Sequence, residues 1–316
     1  MLDIGTYRHL MQCSGPRRTF SVLAIDHRAN LIESLQKHRD APVTDEEVIA
    51  FKNSAARYLA DVATAMLTDP DYGLPGLASG VIPGSVGLMA PLEVTHYDVP
   101  INQRQVTFIP DWDVHKLKRA GYSGAKLLIY YHPEAADAAE KTAIVDAIIE
   151  QCQAEQVPFF LEPIAYSLDP ERPLSNEERR QVVIEAARHF SRRGVDVLKM
   201  EFPVDVRQEP DENVWREALA DLDAACSVPW TLLSAGVQFD TFLRQAALAC
   251  MAGASGVIAG RAVWAEATAL HGEAREQFLA TTARERMVRL TAVCEGLGRP
   301  WTERHTPPDI HQRWYA

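Results

Sequence analysis

Two lysines lie inside apolar runs of the 316-residue chain: Lys199 in Val195-Asp196-Val197-Leu198-Lys199-Met200-Glu201, and Lys126 in Gly124-Ala125-Lys126-Leu127-Leu128-Ile129. An ammonium turned towards apolar neighbours would lose its hydration without compensation, so Lys199 should face a polar interior. Desolvation and a nearby cation lower an amine's pKa, which is the condition for attacking a carbonyl at neutral pH. Lys199 reads as that nucleophile. Two lysines in one interior would each disfavour the other's charge, so Lys126 would stay protonated and hold a substrate oxygen. The competing reading is a buried ion pair, Lys199 with Glu162 or Glu201 and Lys126 with Glu162.

Glu162 closes the run Phe159-Phe160-Leu161-Glu162 ahead of Pro163, an apolar setting that raises a carboxyl towards the range useful for shuttling protons. It reads as the general acid/base or, alternatively, as a counter-charge for the lysines. Ser234-Ala235-Gly236 and Ala259-Gly260-Arg261 combine small residues, which let backbone amides approach an anion, with a guanidinium that can fork onto a phosphate. Arg28 could reach a second phosphate oxygen, whereas a tight turn would by itself explain Gly236 and Gly260. His27, His96, His115 and His132 show no paired ligand spacing such as HxH or HExxH, so no metal and no cofactor is expected. They read as solvated or hydrogen-bonded loop histidines.

These residues need elements to hold them. Eight apolar runs recur along the chain, at Phe20–Asp26, Ala63–Asp69, Val86–Leu92, Gly124–Tyr131, Val157–Glu162, Val195–Lys199, Pro229–Ser234 and Ser255–Arg261. They are apolar on both faces, as parallel strands covered by helices are, and amphipathic stretches separate them. Eight such units predict an α/β fold, a (β/α)8 barrel in a single domain over 1–316; an open doubly wound sheet shares the pattern. In a barrel the chemistry gathers where strands end, which selects Asp26, Arg28, Asp69, Glu162, Lys199, Glu201, Ser234 and Arg261, with Lys126 inside its strand. Thr44-Asp45-Glu46-Glu47 and Ser175-Asn176-Glu177-Glu178 are capping boxes that start helices near 45 and 176. The second helix should end at Arg192-Arg193-Gly194, with cations in its last turn and a left-handed glycine after it. Residues 2–18 should lead into the barrel bottom, and residues 272–316 form a helix over Glu273–Glu295 and a tail.

The net charge of −11, without a long basic run, argues against nucleic acid as a partner. The first dozen residues lack the apolar core of a signal peptide, and no stretch nears the roughly 18 apolar residues of a membrane span, so the expectation is a cytoplasmic protein with no membrane partner. Five scattered cysteines suggest buried thiols rather than disulfides or a zinc site. Exposed Trp and Leu on outer helices could support a homo-oligomer.

Seven segments, in order along the chain, carry a resemblance: Leu23–Arg28, Asp69–Pro75, Lys126–Tyr131, Phe159–Glu162, Gly194–Lys199, Leu233–Val237 and Gly260–Trp264. Together they resemble the class I tagatose-1,6-bisphosphate aldolases and their relatives, the sulfofructose-phosphate aldolases. The resemblance implies a metal-independent lyase that takes a phosphorylated ketose to dihydroxyacetone phosphate and an aldehyde. It implies Lys199 as the Schiff-base residue, Glu162 as acid/base, and Lys126 and Asp26 beside the reacting carbons. Ser234, Gly236, Gly260 and Arg261 would then hold the phosphate. His27 stands where the family pattern has glutamine, and Pro163 follows the sulfosugar branch; both bear on the far end of the substrate. The alternatives are another ketose phosphate as substrate, such as 6-deoxy-6-sulfofructose 1-phosphate, a metal-dependent aldolase or epimerase, and a catalytically silent sugar-phosphate-binding protein.

Overall fold

Eight parallel strands close into a ring. The computed structural model, which describes residues 2–37 and 39–310, places them at β1 (Phe20–Ala24), β2 (Ala65–Leu67), β3 (Gly87–Pro91), β4 (Gly124–Tyr131), β5 (Phe159–Ala165), β6 (Val197–Met200), β7 (Trp230–Leu233) and β8 (Gly256–Ala259). Each pairs with its neighbours in chain order, and β8 returns to β1 with Phe20 opposite Gly256. Closure decides against the open sheet. Every strand overlaps its expected run, but β5 continues three residues past Glu162. Its ladder with β4 is long, ending at Tyr131 opposite Ala165, while its pairing with β6 runs only from Phe160 to Leu161. Ala165 N–H, on the β6 side, donates instead to Glu201 Oε2 at 2.6 Å. Pro163, two residues earlier and so on the same side, lacks an N–H where no ladder would use it.

Side chains alternate in and out along a strand, so one two-residue step moves an inward position up one layer. Phe160 and Val197 belong to an apolar cluster with Phe20, Val22, Leu67, Met89 and Ile258. Glu162 and Lys199 are the next inward residues above them. Lys126 pairs with the inward-facing Phe160 in register, and its ammonium reaches Glu162 and Asp26. The opposite faces pack on the helices in a separate and larger cluster.

The helix Ile4–Cys13 runs beneath the ring, where Leu10 and Cys13 join the inner cluster together with the fully buried Trp301. Trp301 Nε1 donates to Ser14 Oγ at 3.0 Å, tying both chain ends to the bottom of the barrel. Both capping boxes form, at Thr44/Glu47 and Ser175/Glu178. The second helix stops at Phe190, earlier than expected; Gly194 still adopts φ of 109°, but in the turn leading to β6 rather than as the cap. The C-terminal helix comprises Gly272–Phe278, a wider turn over Leu279–Ala283, and Arg284–Leu297. Of the exposed Trp and Leu expected, Leu168 and Leu297 are exposed, whereas none of the described tryptophans is. The end of the expected tail, 311–316, lies outside the described residues.

Candidate active site

Asp26, Arg28, Lys126, Glu162, Lys199, Ser234, Gly260 and Arg261 line one cavity at the C-terminal mouth of the barrel. The ninth expected residue, Gly236, lies against it with φ of 73°; a methyl group there would meet the Arg261 guanidinium at 3.2 Å.

At the centre, Glu162 bridges the two lysines. Its Oε1 is 2.9 Å from Lys199 Nζ and its Oε2 is 3.0 Å from Lys126 Nζ. Lys126 has two further anionic neighbours, Glu93 Oε1 at 2.5 Å and Asp26 Oδ2 at 3.4 Å. Glu162 is the ion-pair partner of Lys199; Glu201 instead pairs with Arg179 at 3.0 Å.

These pairings shift the titration of several of the groups. Burial works to strip the proton from Lys126, but Glu162, Glu93 and Asp26 outweigh it and hold the ammonium well above its ordinary range. For Glu162, burial pushes upward and the two lysines prevail, so its carboxyl lies below the usual value, contrary to the apolar-setting expectation. The neighbours of Phe159-Phe160-Leu161 are apolar in sequence, yet the lysines across the barrel dominate in space. Asp26 is likewise held low against burial, by Lys126, His27, Lys199 and Arg28. Glu93 goes the other way: burial raises its carboxyl despite Lys126.

The opposite wall is built from the ends of β7 and β8. Ala235 holds φ of 45°, a left-handed conformation disfavoured for alanine, in the turn just after β7. The Gly260 amide lies 3.4 Å from Ser234 Oγ, and a Cβ at Gly260 would meet Ala24 O and His27 Cε1, both at 2.9 Å. Arg261 opens the next helix and is exposed. The strand ends thus present amides, a hydroxyl and a cation on the side away from the carboxylates.

A model of the DeoC/LacD aldolases matches residues 20–266, from the first residue of β1 to beyond β8. The chain belongs to the DeoC/LacD aldolase family. It is therefore an aldolase, a lyase. It is 32% identical over 319 residues to a protein named tagatose 1,6-diphosphate aldolase from Streptococcus agalactiae serotype V, covering 94% of this chain and 98% of that protein. It is also 32% identical over 325 residues to tagatose 1,6-diphosphate aldolase 1 of Streptococcus pyogenes serotype M3, with the same coverage. The crystal structure of an archaeal fructose 1,6-bisphosphate aldolase shares the fold with a TM-score of 0.62 at 16% identity, over 92% of this chain and 99% of that one.

The mouth of this aldolase also holds residues that the strand-end argument passed over. Glu93 is the first polar residue after the third run and carries the same strand-end signal as Glu162. Tyr97, Thr95 and Tyr130 line the cavity from the segment after β3 and from the top of β4. Arg104 lies over the rings of Tyr97 and Tyr130, at 5.2 and 4.7 Å, and donates to Tyr130 Oη at 2.5 Å. Asp69, by contrast, leaves the site: it is fully buried, paired with Lys52, which also donates to Ile25 O at 2.8 Å just ahead of Asp26. His27 lines the cavity rather than a solvated loop, edge-on to Trp264 at 5.1 Å, and burial pushes its imidazole down to about 3 against the pull of Asp26. Among the described residues, no three His, Cys, Asp or Glu side chains gather in a way that could hold a metal ion. No helix among them is long and apolar enough to cross a membrane.

Proposed function

We propose that this aldolase cleaves a ketose bisphosphate such as tagatose 1,6-bisphosphate to dihydroxyacetone phosphate and glyceraldehyde 3-phosphate, through a Schiff base on Lys199 and without a metal. The observation that carries the reading is the unequal company of the two lysines. Lys126 is surrounded by three carboxylates, whereas Lys199 has only Glu162 as an ion-pair partner among the described residues. A lysine held cationic from three sides cannot attack; one with a single carboxylate 2.9 Å away can pass its proton to that carboxylate and do so.

In the proposed cycle the Lys199 amine adds to the C2 carbonyl, and the resulting carbinolamine loses water to give an iminium. Removal of the C4 hydroxyl proton breaks the C3–C4 bond, with the electron pair moving into the iminium to form an enamine as the aldehyde leaves. The enamine is protonated at C3, and water hydrolyses the new iminium, releasing dihydroxyacetone phosphate and the free amine. Glu162, within reach of Lys199, carries the protons, directly or through water. Lys126 and Asp26 stand beside the reacting carbons, and Lys126 supplies a fixed positive charge to a substrate oxygen. Ser234, Gly236, Gly260 and Arg261 hold the phosphate of the dihydroxyacetone half, and Arg28 stands at the cavity edge to meet a further phosphate oxygen. The 32% identity to proteins named for tagatose 1,6-diphosphate supports the substrate class.

Borohydride added with dihydroxyacetone phosphate should leave a reduced adduct on the Lys199 peptide, and Lys199→Ala should take none. An adduct mapped to Lys126 would reverse the assignment of the two lysines.

A further inference from the structure

Glu93 is buried in the strand extension just beyond β3, 2% exposed, and the cycle above gives it no task. Its Oε1 is 2.5 Å from Lys126 Nζ, and its Oε2 is buried with no hydrogen-bond partner among the described residues. Burying a carboxylate with one oxygen unsatisfied costs free energy, so anchoring the local backbone is a poor reason to keep it. The backbone anchors itself: Glu93 O accepts from Arg28 Nη2 at 2.6 Å, and Glu93 pairs with Phe108 in a short antiparallel ladder.

We infer that Glu93 is a positioning residue for the Schiff-base reaction: its negative charge keeps the proton on Lys126, which leaves Glu162 free to exchange protons with Lys199 and the substrate. The inference rests on the reading of Lys199 as the nucleophile. An ammonium has three N–H donors, and Lys126 has three carboxylate neighbours, one from each element facing it: Asp26 after β1, Glu93 after β3, and Glu162 on β5. Lys199 lies on the far side of Glu162, Arg28 donates to the backbone carbonyl of Glu93, and Tyr97 lines the same cavity. Without Glu93, Lys126 would depend on Asp26 and Glu162 alone. Glu162 would then be needed as a permanent counter-ion at the moment it must move a proton.

Glu93→Gln retains the backbone contacts and nearly the same volume, and removes only the charge. The expected result is a fall in kcat on the order of ten- to a hundredfold, the scale of an impaired acid/base group, with a smaller change in KM. The alkaline limb of the kcat profile should move to lower pH, because one of the charges that raises Lys126 is gone. Glu93→Asp, which restores the charge, should recover part of the loss. In protein labelled with 13C at lysine Cε, the Lys126 resonance, identified by its loss in Lys126→Arg, should titrate at lower pH in Glu93→Gln than in the unaltered protein. That last measurement needs no turnover. If borohydride fails to trap Lys199 while the Lys126 titration still moves, the Schiff-base reading fails and the assignment of Glu93 to the Lys126 charge survives. An unmoved Lys126 titration, or a Glu93→Gln enzyme that loses thermal stability but keeps kcat and its pH profile, overturns the inference.

Discussion

On the side of the barrel mouth built by β1, β3, β4 and β5, the charges are spent on one another: Asp26, Glu93 and Glu162 all lie within 3.4 Å of Lys126. On the side built by β7 and β8, Arg261 is exposed, and the turns at Ala235-Gly236 and Gly260 present small residues instead of acids. Lys199 stands between the two, reaching the first side through Glu162. Internally paired charges can redistribute protons without solvent, whereas unneutralised donors are suited to an anion that arrives from outside. The protein as a whole is acidic and repels a bisphosphate at long range, so in the proposed function the β7–β8 wall supplies a local attraction.

The division of labour can be broken most severely at its hinge. Glu162→Gln should cost on the order of a hundredfold or more in kcat, because in the proposed cycle it removes the group that serves both Lys199 and the reacting hydroxyls. Turnover at the wild-type level would leave the carboxylate side with only an electrostatic role. A smaller effect is expected on the other wall. Arg261→Ala removes the charge-assisted contact proposed for the phosphate, worth roughly 1.5 to 3 kcal/mol, or about ten- to a hundredfold in binding. Product inhibition should show dihydroxyacetone phosphate weakened strongly and glyceraldehyde 3-phosphate little. Equal weakening of both, or none with the fold intact by circular dichroism, would show that this wall does not serve that phosphate. The smallest effect is expected from exhaustive dialysis against EDTA, which should leave activity unchanged because in the proposed cycle the iminium is the electron sink. A metal requirement would mean that the paired carboxylates do a different job.

Much of this arrangement is legible in the chain. The eight runs are readable because strands covered on both faces must be apolar throughout, and Lys126 and Lys199 stand out because charge inside such a run has nowhere to go but inward. The capping boxes at Thr44 and Ser175 are local and come out as written. Gly194, which misses its expected place as a helix cap, shows how a local rule fails by a few residues when tertiary packing sets where the turn falls.

Tertiary structure decided which charges meet. The Glu162 carboxyl is raised by burial and, more strongly, lowered by its lysine neighbours, because β4 and β6 bring lysines to within 3.0 Å from positions 36 residues upstream and 37 downstream. Asp69 carries the same strand-end signal as Asp26 yet is taken out of the mouth by Lys52, a residue on a helix that no periodicity links to it. Glu93 joins the site because Leu92 N–H donates to Lys126 O at 2.9 Å, which sets the residue after β3 beside the Lys126 side chain. Residue type and two-residue alternation determine that a side chain points into the barrel, since both are written along one strand. Coulomb interactions depend on distances between strands, and those distances exist only after the ring has closed.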